Sequence, residues 1–514
     1  MSLNPKMSMQ HRFILTVTVL CGHSLVGVHA QEAVEAGSKR LISVAPRVSL
    51  AETFTNNVAL SSASARAEQI TEISPGIRLQ IDGGRIKTYF DYALTELVYA
   101  HNSSPRKAQN ALNAFGSFEA LENRVFVDFS GSISQQTVSA FGAQAVDNAL
   151  VNSNRAEVST YRISPWVRGQ MGSFADYEAR YSRSTSGTDA QAAPGATTVD
   201  SMIKISGGRA LGNLGWNADL GRQSVDYSSG RPTSSDYFNV GLVYDVNPQL
   251  KVIARAGREA NNYTGDAQQA YLTNSLGLNW LPSGLSSVSL TRSQRSFGQA
   301  YNVLLAHRSA RTVWKFSDTK DVSTTPSERV ASIGSMYDLL FSQFASAEPN
   351  PVARAQMVEN YLQTNGINPS TTVANSFLTS ALSVQRRQEL SFALLGLRGT
   401  ITFLASRAQS SRLDSLSIGV DDLADAGAVH QTGLSVQYAH RLTPDYSLGI
   451  LFSQQRTSGS ASLQVSDLRT FNINVSGKLG KRSTVSLGAR RTVADSETSP
   501  YSESALTGNF NVQF

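Results

Sequence analysis

Apolar and polar residues alternate along most of this chain. Ile86, Phe90, Tyr92, Leu94 and Val98 share one parity, and Lys87, Tyr89, Asp91 and Thr95 share the other. A period of two over that length predicts a strand with one apolar and one wet face. The pattern returns at Phe238–Val246, Leu250–Ala256, Leu434–Tyr438, Tyr446–Phe452 and Phe471–Val475. It ends at Phe510, Val512 and Phe514, set against Asn509, Asn511 and Gln513. Strands of this kind, repeated with nothing to cover their apolar faces, predict a transmembrane barrel whose outer face meets lipid. The last strand is expected to close the ring on the first, Leu41–Asn56.

The connections support the same fold. Short ones fall at Asp82–Gly84, Leu121–Asn123, Met171–Gly172, Gly212–Asn213, Asn247–Pro248, Pro282–Gly284, His307–Ala310, Gly396–Leu397, Thr443–Asp445 and Gly480–Lys481. Longer Ser-, Asn-, Gly- and Thr-rich stretches alternate with them, such as His101–Asn110, Gln135–Arg155, Thr185–Val199 and Asp414–Val429. Bacterial barrels place short turns on the periplasmic side and long loops outside. The predicted fold is all-β: an antiparallel transmembrane β-barrel of about 22 strands. The even count requires Tyr301–Asp318 to be a hairpin turning at Ser309-Ala310.

One segment leaves this rhythm. Val330, Ile333, Tyr337, Leu340 and Phe344 step by three and four, which is helical spacing. Asn350 then caps, Pro351 starts and Gly366 ends a second helix through Val352, Ala355, Val358 and Leu362. The strand count puts this insertion, 320–379, on the extracellular side, as a lid or plug for a wide lumen or as a rigid surface loop.

Composition adds the compartment. Lys6, His11 and Arg12 precede an apolar run from Phe13, and Val28-His29-Ala30 fits a signal-peptidase site. Residues 1–30 are therefore expected to be a secretory signal peptide, whose removal takes away Cys21, the only cysteine. The formal charge of +6, less the two basic residues of that segment, leaves about +4. So mild an excess on so long a chain does not call for nucleic acid as a partner. No later stretch approaches the length of an apolar helical span.

Enzymatic motifs are scarce. The chain has no nucleophile elbow, phosphate-binding loop or His-Glu-x-x-His, and no enzyme activity, cofactor or metal is expected. His101, His307, His430 and His440 are far apart. Asp421, Asp422 and Asp425 fit a solvated acidic loop better than a calcium site. The wet parity carries the candidate lumen lining: Arg85, Lys87, Tyr89, Lys251, Arg255 and Arg441, with Tyr99, Asp91 and Asp245 on the same face. These residues either brace the wall as an arginine–carboxylate lattice or pass an anionic glycan, since guanidinium groups suit carboxylates and aromatic planes suit sugars. Arg386 falls on the lipid parity of Leu390, Phe392 and Leu394, which calls for a place at the outer rim or a bulge.

Several stretches carry a family resemblance. Ile73-Ser74-Pro75-Gly76-Ile77 with the Gly83-Gly84 turn and Tyr89–Tyr99 is one, and Phe126–Gln136 another; His307–Trp314 and Pro351–Gln356 complete the set. Together they resemble the outer-membrane proteins associated with the PEP-CTERM/exosortase system, encoded near exopolysaccharide biosynthesis genes. The strand ending in Phe510, Val512 and Phe514 likewise resembles the signal read by the barrel-assembly machinery. The resemblance implies a cell outer-membrane location and a role in exopolysaccharide production or export, with lipid and polysaccharide or polysaccharide-export proteins as partners. It transfers no catalytic residue. A general or solute-specific porin and a non-conducting surface scaffold or adhesion barrel remain the alternatives.

Overall fold

A computed structural model describes residues 42–514 apart from 190–194, 229, 325–334, 347, 349, 366–368, 370–372, 374–376, 380–381, 414–421 and 461–463. The expected signal segment, the start of the first helix, Gly366 and Asp421 therefore lie outside the described residues. Within them the chain forms 22 antiparallel strands, numbered in chain order from β1 (Ile42–Thr55) to β22 (Tyr501–Gln513). Each strand pairs with its neighbours in sequence, and β1 pairs with β22 from Arg47↔Gln513 to Thr55↔Ala505. The Phe514 amide donates to the Pro46 carbonyl at 2.8 Å, so the final phenylalanine is tied into the seam. The ring is closed and leaves no edge strand.

Parity decides which solvent each face meets. Val44, Val48, Leu50 and Phe54 of β1 stand exposed on the outside, as do Phe510 and Phe514, the latter 62% exposed. Exposed apolar side chains continue around the wall, for example at Leu276, Leu394 and Leu487. A continuous apolar band of this extent is stable only against lipid. With short turns at one end and long loops at the other, the protein is an outer-membrane β-barrel. Positive φ at Gly172 (+59°) and Gly212 (+73°) shows why two of the tight turns carry glycine.

The hairpin at Ser309-Ala310 joins β14 (Gly298–Arg308) to β15 (Thr312–Ser323). Pairing of β15 with β16 (Ser383–Leu395) runs without a register shift through Lys320↔Arg386, so Arg386 sits near the outer rim and not at a bulge. Lys320 to Ser323 continue β15, and the insertion outside the wall runs over 324–382. Ser323 stands directly opposite Ser383, so the insertion leaves and rejoins the wall at one rung.

Two helices of the insertion are described. In α1 (Met336–Gln343), the Ser335 hydroxyl accepts from the Asp338 amide and the Asp338 carboxylate accepts from the Ser335 amide, a reciprocal cap. In α2 (Pro351–Asn365), the Asn350 side chain accepts from the Val352 amide at 2.9 Å and Pro351 takes the first helical position. A ring of 22 strands at ordinary spacing and tilt measures about 44 Å between opposite backbones. The lumen thus has room for both helices.

Candidate functional site in the barrel lumen

The insertion folds inward. Met336, Leu339, Leu340, Val358 and Leu362 bury themselves against Leu404, Ala439 and Leu451. These three lie on β17 (Gly399–Arg412), β18 (Ala428–Arg441) and β19 (Tyr446–Gly459). Leu404 and Leu451 occupy the wet parity of their strands, and the helices are what cover them. Elsewhere on the ring, Val352 and Ala355 of α2 cover Tyr89 of β3 (Ile86–Tyr99), whose ring stacks on Phe115 at 5.4 Å. Each such side chain, fully buried, contributes roughly 1.5–3 kcal/mol. Beyond α2, the Leu378 amide donates to the Thr137 carbonyl at the end of β5 (Val125–Thr137), eleven strands from β16 and therefore opposite it. The Tyr227 hydroxyl, on β9 (Leu214–Tyr227), donates to the Thr324 carbonyl. The described residues between β15 and β16 thus touch the wall on opposite sides of the lumen.

A charged cluster fixes α2 to the wall. Arg78 of β2 (Glu68–Asp82) donates to Asp91 through Nε at 2.9 Å and a terminal nitrogen at 2.7 Å. The same terminal nitrogen lies 3.1 Å from Glu359 of α2. Arg47 of β1 reaches Asp91 from the other side. It does so across Gly76, where a Cβ would stand 3.2 Å from the Arg47 Nε and 2.7 Å from the Tyr92 carbonyl oxygen. Replacing Glu359 with Gln leaves Arg78 paired with Asp91, so the expected cost is about 1–2 kcal/mol of docking energy. Opening events in single-channel records should become about tenfold more frequent; an unchanged rate would separate this pair from gating.

A second segment, the loop 138–154 after β5, also folds inward. Ala145 and Leu150 pack with Leu60, Leu468, Ala494 and Tyr501, while Ala149 packs with Val58, Ile70, Leu97 and Tyr99. The Tyr99 hydroxyl donates to the Ala149 carbonyl at 2.9 Å, and that of Tyr501 donates to the Gln144 carbonyl. Asp147 accepts from Arg490 of β21 (Ser483–Ser496) at 2.8 Å, and Arg490 also grips Glu503 of β22 through two nitrogens. Burial works against the Asp147 charge, but the Arg490 guanidinium and the Ala149 amide hold its carboxyl below the ordinary carboxylate range. Asp422, at the start of α3 (Asp422–Ala426), accepts from the Ser139 hydroxyl and the Ala140 amide, so this acidic residue is a strut for the inward loop.

Between these segments and the wall lies a cavity of about 1640 Å³. Its lining holds eight Lys/Arg and seven Asp/Glu, so it is close to electrically balanced. It also holds twelve Asn/Gln, a density of amides that suits a hydroxyl-rich ligand better than a bare ion. Of the candidate lining residues, Lys87 and Tyr89 border this cavity, although Tyr89 is only 2% exposed beneath α2. Arg85 lies exposed in the periplasmic turn before β3. Lys251 and Arg255 belong to β11 (Leu250–Asn261), where Lys251 stands 3.4 Å from Asp245 and the aliphatic stem of Arg255 lies over Gly241. Arg441 ends β18 at the periplasmic side. The structure does not bring these six into one basic stripe. The residues that sequence reasoning missed are the apolar ones on the wet parity, Leu404, Leu451, Leu468 and Leu97, and the break in alternation at each was the available signal.

No protein-family model and no curated protein matches the chain. Among solved structures, similar ones include the FrpB iron transporter from Neisseria meningitidis (F5-1 variant), at 10% identity and a TM-score of 0.49, covering 91% of this chain and 82% of that one. The siderophore receptor PirA from Pseudomonas aeruginosa follows at 9% identity and 0.44, with 92% and 80% covered. This likeness is one of overall form and carries nothing about substrate.

Proposed function

We propose that this barrel is a conduit for exopolysaccharide, closed at rest by the helical insertion and the inward loop 138–154, with no enzymatic step of its own. The observation that carries the reading is the cavity: charge-balanced, rich in Asn and Gln, and roofed by a segment whose chain leaves and rejoins the wall at one rung. Amide and hydroxyl groups exchange hydrogen bonds with sugar hydroxyls at little net cost, which favours passage over tight retention. The family resemblance of Ile73–Ile77, Phe126–Gln136 and His307–Trp314 supports the cargo, and export proteins of the same system are the partners it implies.

The test is removal of the gene from a polysaccharide-producing strain. Extracellular polymer should fall several-fold while cell-associated polymer rises, and the full chain should restore both. Unchanged amount and location would end the secretion role. Partner-free conductance that does not respond to loss of the insertion would favour a porin instead.

A further inference from the structure

The outward parity of the wall turns basic above the apolar band beneath the insertion. Arg292 of β13 (Ser286–Arg295) stands opposite Tyr301, Tyr301 opposite Lys320, and Lys320 opposite Arg386, so four adjacent strands hold three cations and a phenol in one row. In the neighbouring row Arg407 stands opposite Gln388 and Thr432, and Thr432 opposite Arg456. All share parity with exposed apolar residues lower on the same strands, such as Leu290, Trp314, Leu390 and Phe452. They therefore face away from the lumen.

On this parity Asp318 is the one carboxylate from β13 to β19 among the described residues, while Asp467 and Asp495 face each other beyond it; Asp318 and Asp467 are each matched by an arginine. Asp318 accepts from Arg386 at 2.9 Å, and Asp467 from Arg469 at 2.8 Å. The Arg386 guanidinium also lies 5.3 Å from the centre of the Tyr301 ring. Arg292, Lys320, Arg407 and Arg456 have no ion-pair partner among the described residues, which leaves an unbalanced charge of four on β13 to β19. Arg386 is nine residues along its strand from Leu395, about 23 Å up a tilted wall. An outer-membrane barrel's apolar band is about 25 Å tall, so the cluster stands where outer-leaflet headgroups begin. Uncompensated cations are unfavourable on a lipid face, and anionic headgroups remove that penalty.

We propose that this face is a binding site for the phosphorylated headgroup of an outer-leaflet lipid, with Arg292, Lys320 and Arg407 taking its phosphate oxygens. Guanidinium groups bind phosphate bidentately, and Tyr301 places an amphipathic ring at the interface. Two of the strands involved, β15 and β16, carry the insertion, so a bound lipid braces its root.

The probe is bis-phosphorylated lipid A, titrated by native mass spectrometry onto the delipidated full chain in detergent, with dephosphorylated lipid A alongside. The wild type should bind the phosphorylated form at least tenfold more tightly. The triple variant Arg292→Gln, Lys320→Gln, Arg407→Gln should lose that preference, and Lys481→Gln with Arg482→Gln, in a periplasmic turn, should keep it. Folding of each is read by the mobility difference between heated and unheated samples in detergent gels. If the triple variant does not fold, Arg407→Gln alone should weaken binding about threefold. Equal binding of the two lipids by the wild type, or an unchanged preference in the charge-removed variants, overturns the proposal.

Discussion

Replacing residues 325–381 with a short Gly/Ser turn should convert a nearly silent barrel into a steady channel in planar bilayers, with mean conductance up by about an order of magnitude. The wall should tolerate this change because Ser323 and Ser383 are already opposed, so a turn can join them without breaking a rung. What is lost lies inside. Leu404 and Leu451 lose the helices that bury them, Arg78 keeps Asp91 but loses Glu359, and the strut to Thr137 disappears. Two helices, each about 10–12 Å across, leave a lumen of roughly 44 Å between backbones. The inward loop 138–154 remains and sets an upper limit on the gain. Conductance that stays at the wild-type level would mean that the insertion does not control the pore. Heat-modifiable mobility should be retained, which separates opening from misfolding.

The second large effect is expected at Arg490. Its guanidinium serves Glu503 through two nitrogens and Asp147 through a third, while Glu503 also accepts from the Thr55 hydroxyl at 3.0 Å. Arg490→Met strands the carboxylate of Glu503, which is fully buried, and of Asp147. Removing one partner of a buried pair costs about 3–5 kcal/mol. The variant should unfold from lipid vesicles at a clearly lower urea concentration, and protease should cut within 138–154 in the folded protein. The double variant Arg490→Met, Glu503→Met should recover much of the wall's stability, because two apolar side chains leave no orphan charge there. It should still show a loose inward loop, since Asp147 has lost its partner. Equal stability of the single variant and the wild type would show that water reaches the cluster.

The wall was legible in the sequence because lipid imposes one rule on every strand. Period-two alternation located the strands, and even parity placed the turn at Ser309-Ala310. The Asn350-Pro351 cap located α2, since its chemistry is local. The lumen was less legible. Loop 138–154 reads as a polar connection, because Ala145, Ala149 and Leu150 have no period and their partners are remote in the chain, Leu468 and Tyr501 for Ala145 and Leu150, Val58 and Ile70 for Ala149. Leu404 beside Phe403, and Leu451 between Ile450 and Phe452, look like lapses in alternation until the helices that cover them are known. Arg47 reaching Asp91 over Gly76 depends on register between three strands, which no single strand encodes. Basic residues were identified by face but not by position around the ring. Lys87 and Lys251 therefore looked equivalent, although they belong to different parts of the wall.

The place where loop 138–154 docks has a consequence for the order of events during biogenesis. Its seat is contributed on one side by Leu60, Ile70 and Leu97, and on the other by Leu468, Ala494 and Tyr501. The two sides come from opposite termini of the chain and become one surface only when β1 meets β22. Until then the loop has half a seat and Asp147 lacks Arg490. A nascent barrel is thus open on that side, and loop 138–154 narrows its outer mouth only after the last seam is sewn.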